Sequence, residues 1–226
     1  MKILVLADIH NDTENLMKFL DKVEEITNFD LIVAIGDFTD VNIPKGFTAM
    51  DIGKIIIEIL KTRKKPILAV PGNFDKELIK LFEDEDISLH GRGKIIEDVG
   101  FYGYGGAKTP FGTPLEPSEN EIYQGLENGW KIVKDCRVKI QITHVPPFNT
   151  TLDVISSGFH VGSKTVRKFI EDKKPEVALC AHIHEAKGTD LIGDTKLLNP
   201  GRFPEGYAGI VDIKKEKIEV KPITLL

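Results

Sequence analysis

The chain has 226 residues, of which 41% are hydrophobic, enough to bury a sizeable core in one large α/β domain or two small ones. Its net charge of −5 argues against general affinity for nucleic acid or anionic membranes, both of which reward clustered Lys and Arg; a phosphorylated small molecule stays open, because a metal can offset its charge locally. Two cysteines, Cys136 and Cys180, are too few for a disulfide framework and read as reduced thiols.

The first residues, MKILVLADIH, lack the pattern of a signal peptide, and no run approaches the ~18 apolar residues of a membrane span, so the expected location is cytoplasmic. Richness in Lys, Glu and Ile, with few Met and Cys, leans towards a thermophile. Near-continuous apolar runs at 2–7, 31–35 and 66–70 predict parallel strands buried on both faces. Between them, Leu16, Phe19, Leu20 and Val23, then Ile52, Ile55, Ile56, Ile59 and Leu60, recur at helical spacing, which makes a βαβαβ start. Short β-like pieces follow over 87–107, then a Pro/Gly-rich loop at 109–117. Ser118 and Glu121 form a capping box for a helix to about Lys134. A strand is predicted at 138–143, a helix capped by Ser163 over 164–172, and a strand at 176–181. The tail, about 188–223, reads as several antiparallel strands. No repeat or linker interrupts the chain, so residues 1–226 are expected to form a single domain.

Polar residues gather just after the strands. Asp8 and His10 follow the first, Asp37 and Asp40 the second, Asn73 and Asp75 the third; His144 follows the strand at 138–143, and His182 and His184 that at 176–181. Each piece alone is weak: Asp-x-His and Gly-Asp are common turns, and a lone histidine is more often satisfied in a core. Together they are specific, since four of the six histidines stand at strand ends, where ligands bind in open α/β sheets. Carboxylate, imidazole and amide oxygen without thiolate suit Mn, Fe, Co, Ni or Zn. Seven such groups exceed what one ion needs and fit two metals bridged by a carboxylate and a water.

The ordered set DIH, GDFTD, GNFD, THVPP and AHIH resembles the calcineurin-like metallophosphoesterase superfamily, in particular a branch of small prokaryotic predicted phosphoesterases related to cyclic-nucleotide phosphodiesterases. The resemblance spans residues 8–184. It implies a four-layer αββα sandwich: two mixed β-sheets face to face, helices on both outer sides, and a di-metal site at the carboxyl ends of the strands. It places Asp8, His10, Asp37 and His184 on one metal and Asp37, Asn73, His144 and His182 on the other, with Asp37 as the bridge. Asp37, Asn73 and His144 then belong to the catalytic centre, and Asp40 and Asp75 orient ligands and loop backbone. The implied chemistry is in-line attack of a metal-bridging hydroxide on a phosphoester, without a phosphoenzyme. Two divalent ions are the expected cofactors, with manganese leading.

Two departures stand out. Ala181 replaces a glycine, a small change. Phe74 stands where the family carries the histidine assigned to protonate the leaving oxygen, and phenylalanine carries no proton to give. Loss of a general acid costs ~10²–10⁴-fold, most with poor leaving groups, so the reading favours phosphodiesters over simple alkyl monoesters. His160, on a Gly/Ser-rich loop, and Arg202 are the candidate substrate-binding residues. Lys108 and Phe111, on the long 103–117 loop, are candidates to shape the pocket; His90 reads as a surface residue. The expected partner is a small phosphoester, with neither membrane nor specific nucleic acid, and a homodimer is compatible. A second reading stays open: a catalytically weak scaffold for protein interaction, the role this fold plays in a retromer subunit.

Overall fold

A computed structural model describes residues 1–215 and 217–226. Its opening half alternates as anticipated: β1 (Lys2–Ala7), α1 (Thr13–Ile26), β2 (Leu31–Ile35), α2 (Ala49–Lys61) and β3 (Ile67–Val70). The helices start where local chemistry satisfies their first amides. Asp12 accepts from Asn15 N–H at α1, and Thr48 and Asp51 form a reciprocal capping box at α2. Then come α3 (Ile79–Asp84), β4 (Arg92–Ile96), β5 (Val99–Tyr104), α4 (Glu119–Val133), β6 (Val138–Thr143), α5 (Lys164–Lys173), β7 (Val177–Leu179), β8 (Gly188–Ile192), β9 (Thr195–Asn199), β10 (Tyr207–Ile213) and β11 (Ile218–Thr224).

Two mixed sheets result. The first has the order β11-β10-β1-β2-β3, parallel through β1, β2 and β3, with β10 antiparallel to β1; the second has the order β4-β5-β6-β7-β9-β8. The period-two alternation of β1 explains the layering. Leu4 and Leu6 face α1 and α2, packing with Leu16, Leu20 and Ile56. Ile3, Val5 and Ala7 face the other way, onto Ile140, Ile142, Leu179 and Leu198 of the second sheet. A third cluster, with Leu126, Val133, Val166 and Phe169, seals α4 and α5 onto the far face of that sheet. These three apolar seams separate four layers, the αββα sandwich expected from the motifs.

The differences are local. The strand expected at 176–181 ends at Leu179, because Ala181 N–H turns to the His144 carbonyl and His182 enters the left-handed region at φ 72°. The tail strands pair antiparallel as two hairpins, β8 with β9 and β10 with β11, but the hairpins part: β9 also pairs parallel with β7 in the second sheet, whereas β10 and β11 complete the first. The 3-10 turn Lys76–Leu78 and the short α3 are additions to the expected elements; their buried Leu78, Leu81 and Phe82 stand at helical spacing.

Candidate metal centre

All five candidate loops leave the carboxyl ends of β1, β2, β3, β6 and β7, where the two sheets meet. Parallel pairing sets β1 beside β2 and β2 beside β3, so residues just beyond each strand come side by side. Their backbone is unusual. Asp8, His10, Asp37 and His182 all have positive φ, four of the ten non-glycine residues that do so among the described residues. L-residues adopt this conformation at a cost, and it gathers where surrounding structure over-determines it for function. Here Asp8 N–H donates to the Gly36 carbonyl and His10 N–H to that of Asp37, locking the first two loops together.

Two groups of side chains converge. Asp8, His10 and His184 bring one ligand atom each within 4.8 Å of one another, and so do Asp37, His144 and His182. The groups touch: His10 Nε2 lies 3.3 Å from His184 Nε2 and 3.9 Å from Asp37 Oδ2, and Asp37 Oδ2 lies 3.3 Å from His144 Nε2. Asn73 joins the second group, its Oδ1 3.1 Å from His144 Nε2. His144 Nδ1 faces the Ile35 carbonyl at 3.2 Å, a partner that takes an N–H, so Nε2 is the nitrogen that serves the site. Nε2 is thereby turned towards the Asp37 and Asn73 oxygens, and both carboxylate oxygens of the fully buried Asp8 have no hydrogen-bond partner among the described residues. Buried acceptors call for a cation among them, a proton on His144 or a metal ion, and a set of carboxylates, imidazoles and an amide oxygen fits divalent metal ions.

The electrostatics follow from burial and proximity. Burial alone would raise the Asp37 carboxyl and lower His144, yet their mutual attraction wins and shifts each the other way. Burial, with His144 nearby, lowers His182 to about 4. Burial also works to lower His184, but the Asp8 carboxylate outweighs it and raises that imidazole. Phe74 N–H donates to Asp37 Oδ1 at 3.1 Å, and its ring sits edge-on to His10 with centroids 6.0 Å apart. Two glycines make the close approach feasible: a Cβ on Gly72 would lie 2.0 Å from Asp37 Oδ1, and one on Gly36, itself at φ 66°, 2.4 Å from His144 Nδ1.

Asp75 is buried beside the ligands and accepts from Phe38 N–H, Thr39 N–H, the Thr39 hydroxyl and Gly72 N–H at 2.8–3.0 Å. It thereby ties the β2 loop to the β3 loop. Asp40 Oδ2 stands 3.3 Å from His10 Nδ1. Arg202 pairs with Glu205 at 3.3 Å, and its charge reaches His184 and opposes protonation there. His160 lies outside both groups, its Nδ1 2.7 Å from Asp153 Oδ1. His90 is a correction: it is largely covered, stacks on Tyr104 and accepts a hydrogen bond from Gly105 N–H at Nδ1. The hydrophobic pattern holds no sign of this contact, which needs β4 and β5 to pair.

Sequence reasoning missed the residues that shape the surrounding loops. Asp153, fully buried, accepts from Asn149, Thr150 and Gly162 N–H and organises the loop after β6. Glu116 does the same for the loop after β5, accepting from the amides and hydroxyls of Thr109 and Thr113. Both are lone acids in polar stretches, with no local pattern to mark them. A cleft of about 700 Å³ lies at the opposite end of the sandwich, lined by Arg137, Lys174, Asp194 and Lys214, and contains none of the candidate ligands. Cys136 and Cys180 are free thiols, and among the described residues no helix is long and apolar enough to cross a membrane.

Fold and site together define a metallophosphoesterase architecture, and the sequence profile of the calcineurin-like phosphoesterases matches residues 1–186; the chain belongs to that family. The uncharacterized protein MJ1162 of Methanocaldococcus jannaschii is 36% identical over 225 residues, 96% of this chain and 94% of that protein. Among solved structures, TT1561 of Thermus thermophilus superposes with a TM-score of 0.74 at 23% identity, covering 100% of this chain and 99% of that one. A dimetal phosphatase from Danio rerio superposes at 0.67 with 9% identity, covering 100% and 96%. At these identities the two structures show a shared fold.

Proposed function

We propose that this chain is a two-metal-dependent phosphoester hydrolase acting on phosphodiesters in preference to monoesters. The observation that carries the reading is the pair of touching ligand groups with Asp37 at their junction. Bound divalent ions would supply charge neutralisation at phosphorus and an activated water. Asp8, His10, Asp37 and His184 would hold one ion, and Asp37, Asn73, His144 and His182 the other.

The chain's own residues do the rest. The Ile35 carbonyl fixes the His144 tautomer, and Phe74 N–H and Asp75 fix Asp37 and its loop, so the ligands are set in place before metal arrives. Arg202, whose charge already reaches His184, is proposed to bind a phosphoryl oxygen. His160, its Nδ1 held by Asp153, keeps Nε2 available for a substrate contact. Phe74 offers no proton to a departing oxygen, which favours leaving groups stable as anions.

The test is turnover of a bis-aryl phosphate and an aryl monophosphate with Mn, Ni, Co, Mg and Zn, beside Asp37→Asn and with metal content measured. Metal-dependent hydrolysis, faster on the diester and reduced at least ~10³-fold in Asp37→Asn, is expected. No metal-dependent hydrolysis of either ester would overturn the reading in favour of an interaction scaffold.

A further inference from the structure

Of the 12 phenylalanines, three are exposed: Phe111 at 88%, Phe159 at 71% and Phe47 at 49%. Single exposed apolar residues are ordinary. The placement of these three is not scattered. Each stands on a different loop leaving a strand's carboxyl end, after β5, β6 and β2 respectively, and each loop is fastened to the metal centre. The β2 loop is fastened through Asp40, 3.3 Å from His10. The β5 loop is fastened through Leu115 N–H, which donates to the Asn73 carbonyl at 2.9 Å. The β6 loop is fastened through the amide and hydroxyl of Ser156, which donate to Glu185, the neighbour of His184, at 3.2 and 3.1 Å. Exposed Val41 and Val161 share the first and last of these loops. Phe74, half-buried against His10, carries the same apolar character into the centre itself.

The charges on these loops are sorted as well. Their acids are engaged: Asp40 with His10, Glu116 with the Thr109 and Thr113 donors, and Asp153 with buried amides. The exposed ammonium groups of Lys45 and Lys108 form no ion pair among the described residues. Exposed apolar rings and positive charge without an ion pair, on loops tied to a centre suited to phosphoesters, are complementary to an anionic amphiphile.

We infer that Phe47, Phe111 and Phe159 form a substrate collar, and that the substrate is a phosphodiester carrying an alkyl or aryl group of several carbons. The inference rests on the phosphoesterase reading and adds the chemical class of the ester. The phosphoryl group lies at the ligand cluster, and the apolar group leaves water against the collar.

The experiment compares p-nitrophenyl octyl phosphate with p-nitrophenyl methyl phosphate, below the octyl ester's micellar concentration, in the manganese-loaded protein. Wild type is expected to favour the octyl ester at least about tenfold in kcat/KM, mostly through KM, which is what burying about two methylenes provides. In the triple variant Phe47→Ser, Phe111→Ser, Phe159→Ser that ratio collapses towards one. Ile26→Ser, an exposed apolar residue at the end of α1, keeps it. Equal kcat/KM for the two esters in wild type overturns the collar and leaves phosphodiester hydrolysis standing. Hydrolysis of neither ester removes the phosphoesterase reading, and titration calorimetry with octyl phosphate against methyl phosphate then decides the collar. Tighter octyl binding that the triple variant loses supports it, and equal affinities overturn it.

Discussion

Phe74 sets a ring with no transferable proton edge-on to His10, inside the candidate site. Its amide still holds Asp37, so the ligand frame does not depend on what its ring carries. Phe74→His is therefore expected to leave metal content intact and raise turnover of alkyl esters, whose leaving groups need a proton, by ~10²-fold or more. Equal turnover by the variant on aryl and alkyl esters alike, with no gain on the alkyl ones, would show that another group already delivers the proton. His90 makes a different point. Burial lowers its pKa to about 4 from 6.5, with the Arg92 charge assisting and Glu83 opposing, and the neutral ring accepts from Gly105 N–H. Unfolding frees the ring to take up a proton between those two values, so the unfolded chain binds more protons there. The stability this group contributes is complete above about pH 6.5 and is lost as the pH falls towards 4. About 2 kcal/mol should be lost by about pH 4.5, read as the difference between wild type and His90→Gln in urea midpoints across that range.

At the scale of elements, the strands are short and the loops beyond them carry the chemistry. Five loops converge because parallel strands in register deliver their ends to one edge, and the backbone then bends sharply to aim the ligands. The tightest point is the contact between the β2 and β3 loops. A methyl group on Gly72 would meet both the carboxylate and the amide nitrogen of Asp37, at 2.0 and 2.1 Å. Neither is the far end of a flexible side chain, so the loops must part. Gly72→Ala is expected to destabilise the fold by about 3 kcal/mol and to lower metal stoichiometry, measured by thermal unfolding and elemental analysis. Full stoichiometry in a stable variant would show that the two loops separate more easily than their packing implies. The loops after β5 and β6 obey a second rule: each wraps around one internal carboxylate, Glu116 or Asp153, that gathers its amides. Such hubs let a long irregular segment keep one shape at the rim of the site.

For the whole molecule, the candidate metal centre also bears on stability. It leaves the Asp8 oxygens without a hydrogen-bond partner among the described residues and turns the Nε2 atoms of His10 and His184 towards each other at the meeting of the two sheets, an arrangement that bound cations would complete. Ions that bind only the native chain stabilise it by mass action, about 2.7 kcal/mol per site at a hundredfold excess over Kd. Saturating Mn²⁺ should raise Tm by ~5–10 °C over protein stripped with EDTA, and identical scanning-calorimetry transitions in the two conditions would contradict the site. Much of this was legible in the residues themselves. The apolar runs at 2–7 and 31–35, the helical spacing of Leu16, Phe19, Leu20 and Val23, and the caps at Ser118 and Ser163 are local, and local periodicity with satisfied end groups determines the element. The candidate ligands were legible for the same reason, since each directly follows a strand. The tertiary structure alone decided which groups meet. His10 and His184 are 174 positions apart and Asn73 and His144 are 71, distances across which only the packing of β1 to β3 against β6 and β7 sets the spacing. It also decided that β10 and β11 complete the first sheet and that His90 is covered, because contacts between remote segments leave no periodic trace in the chain.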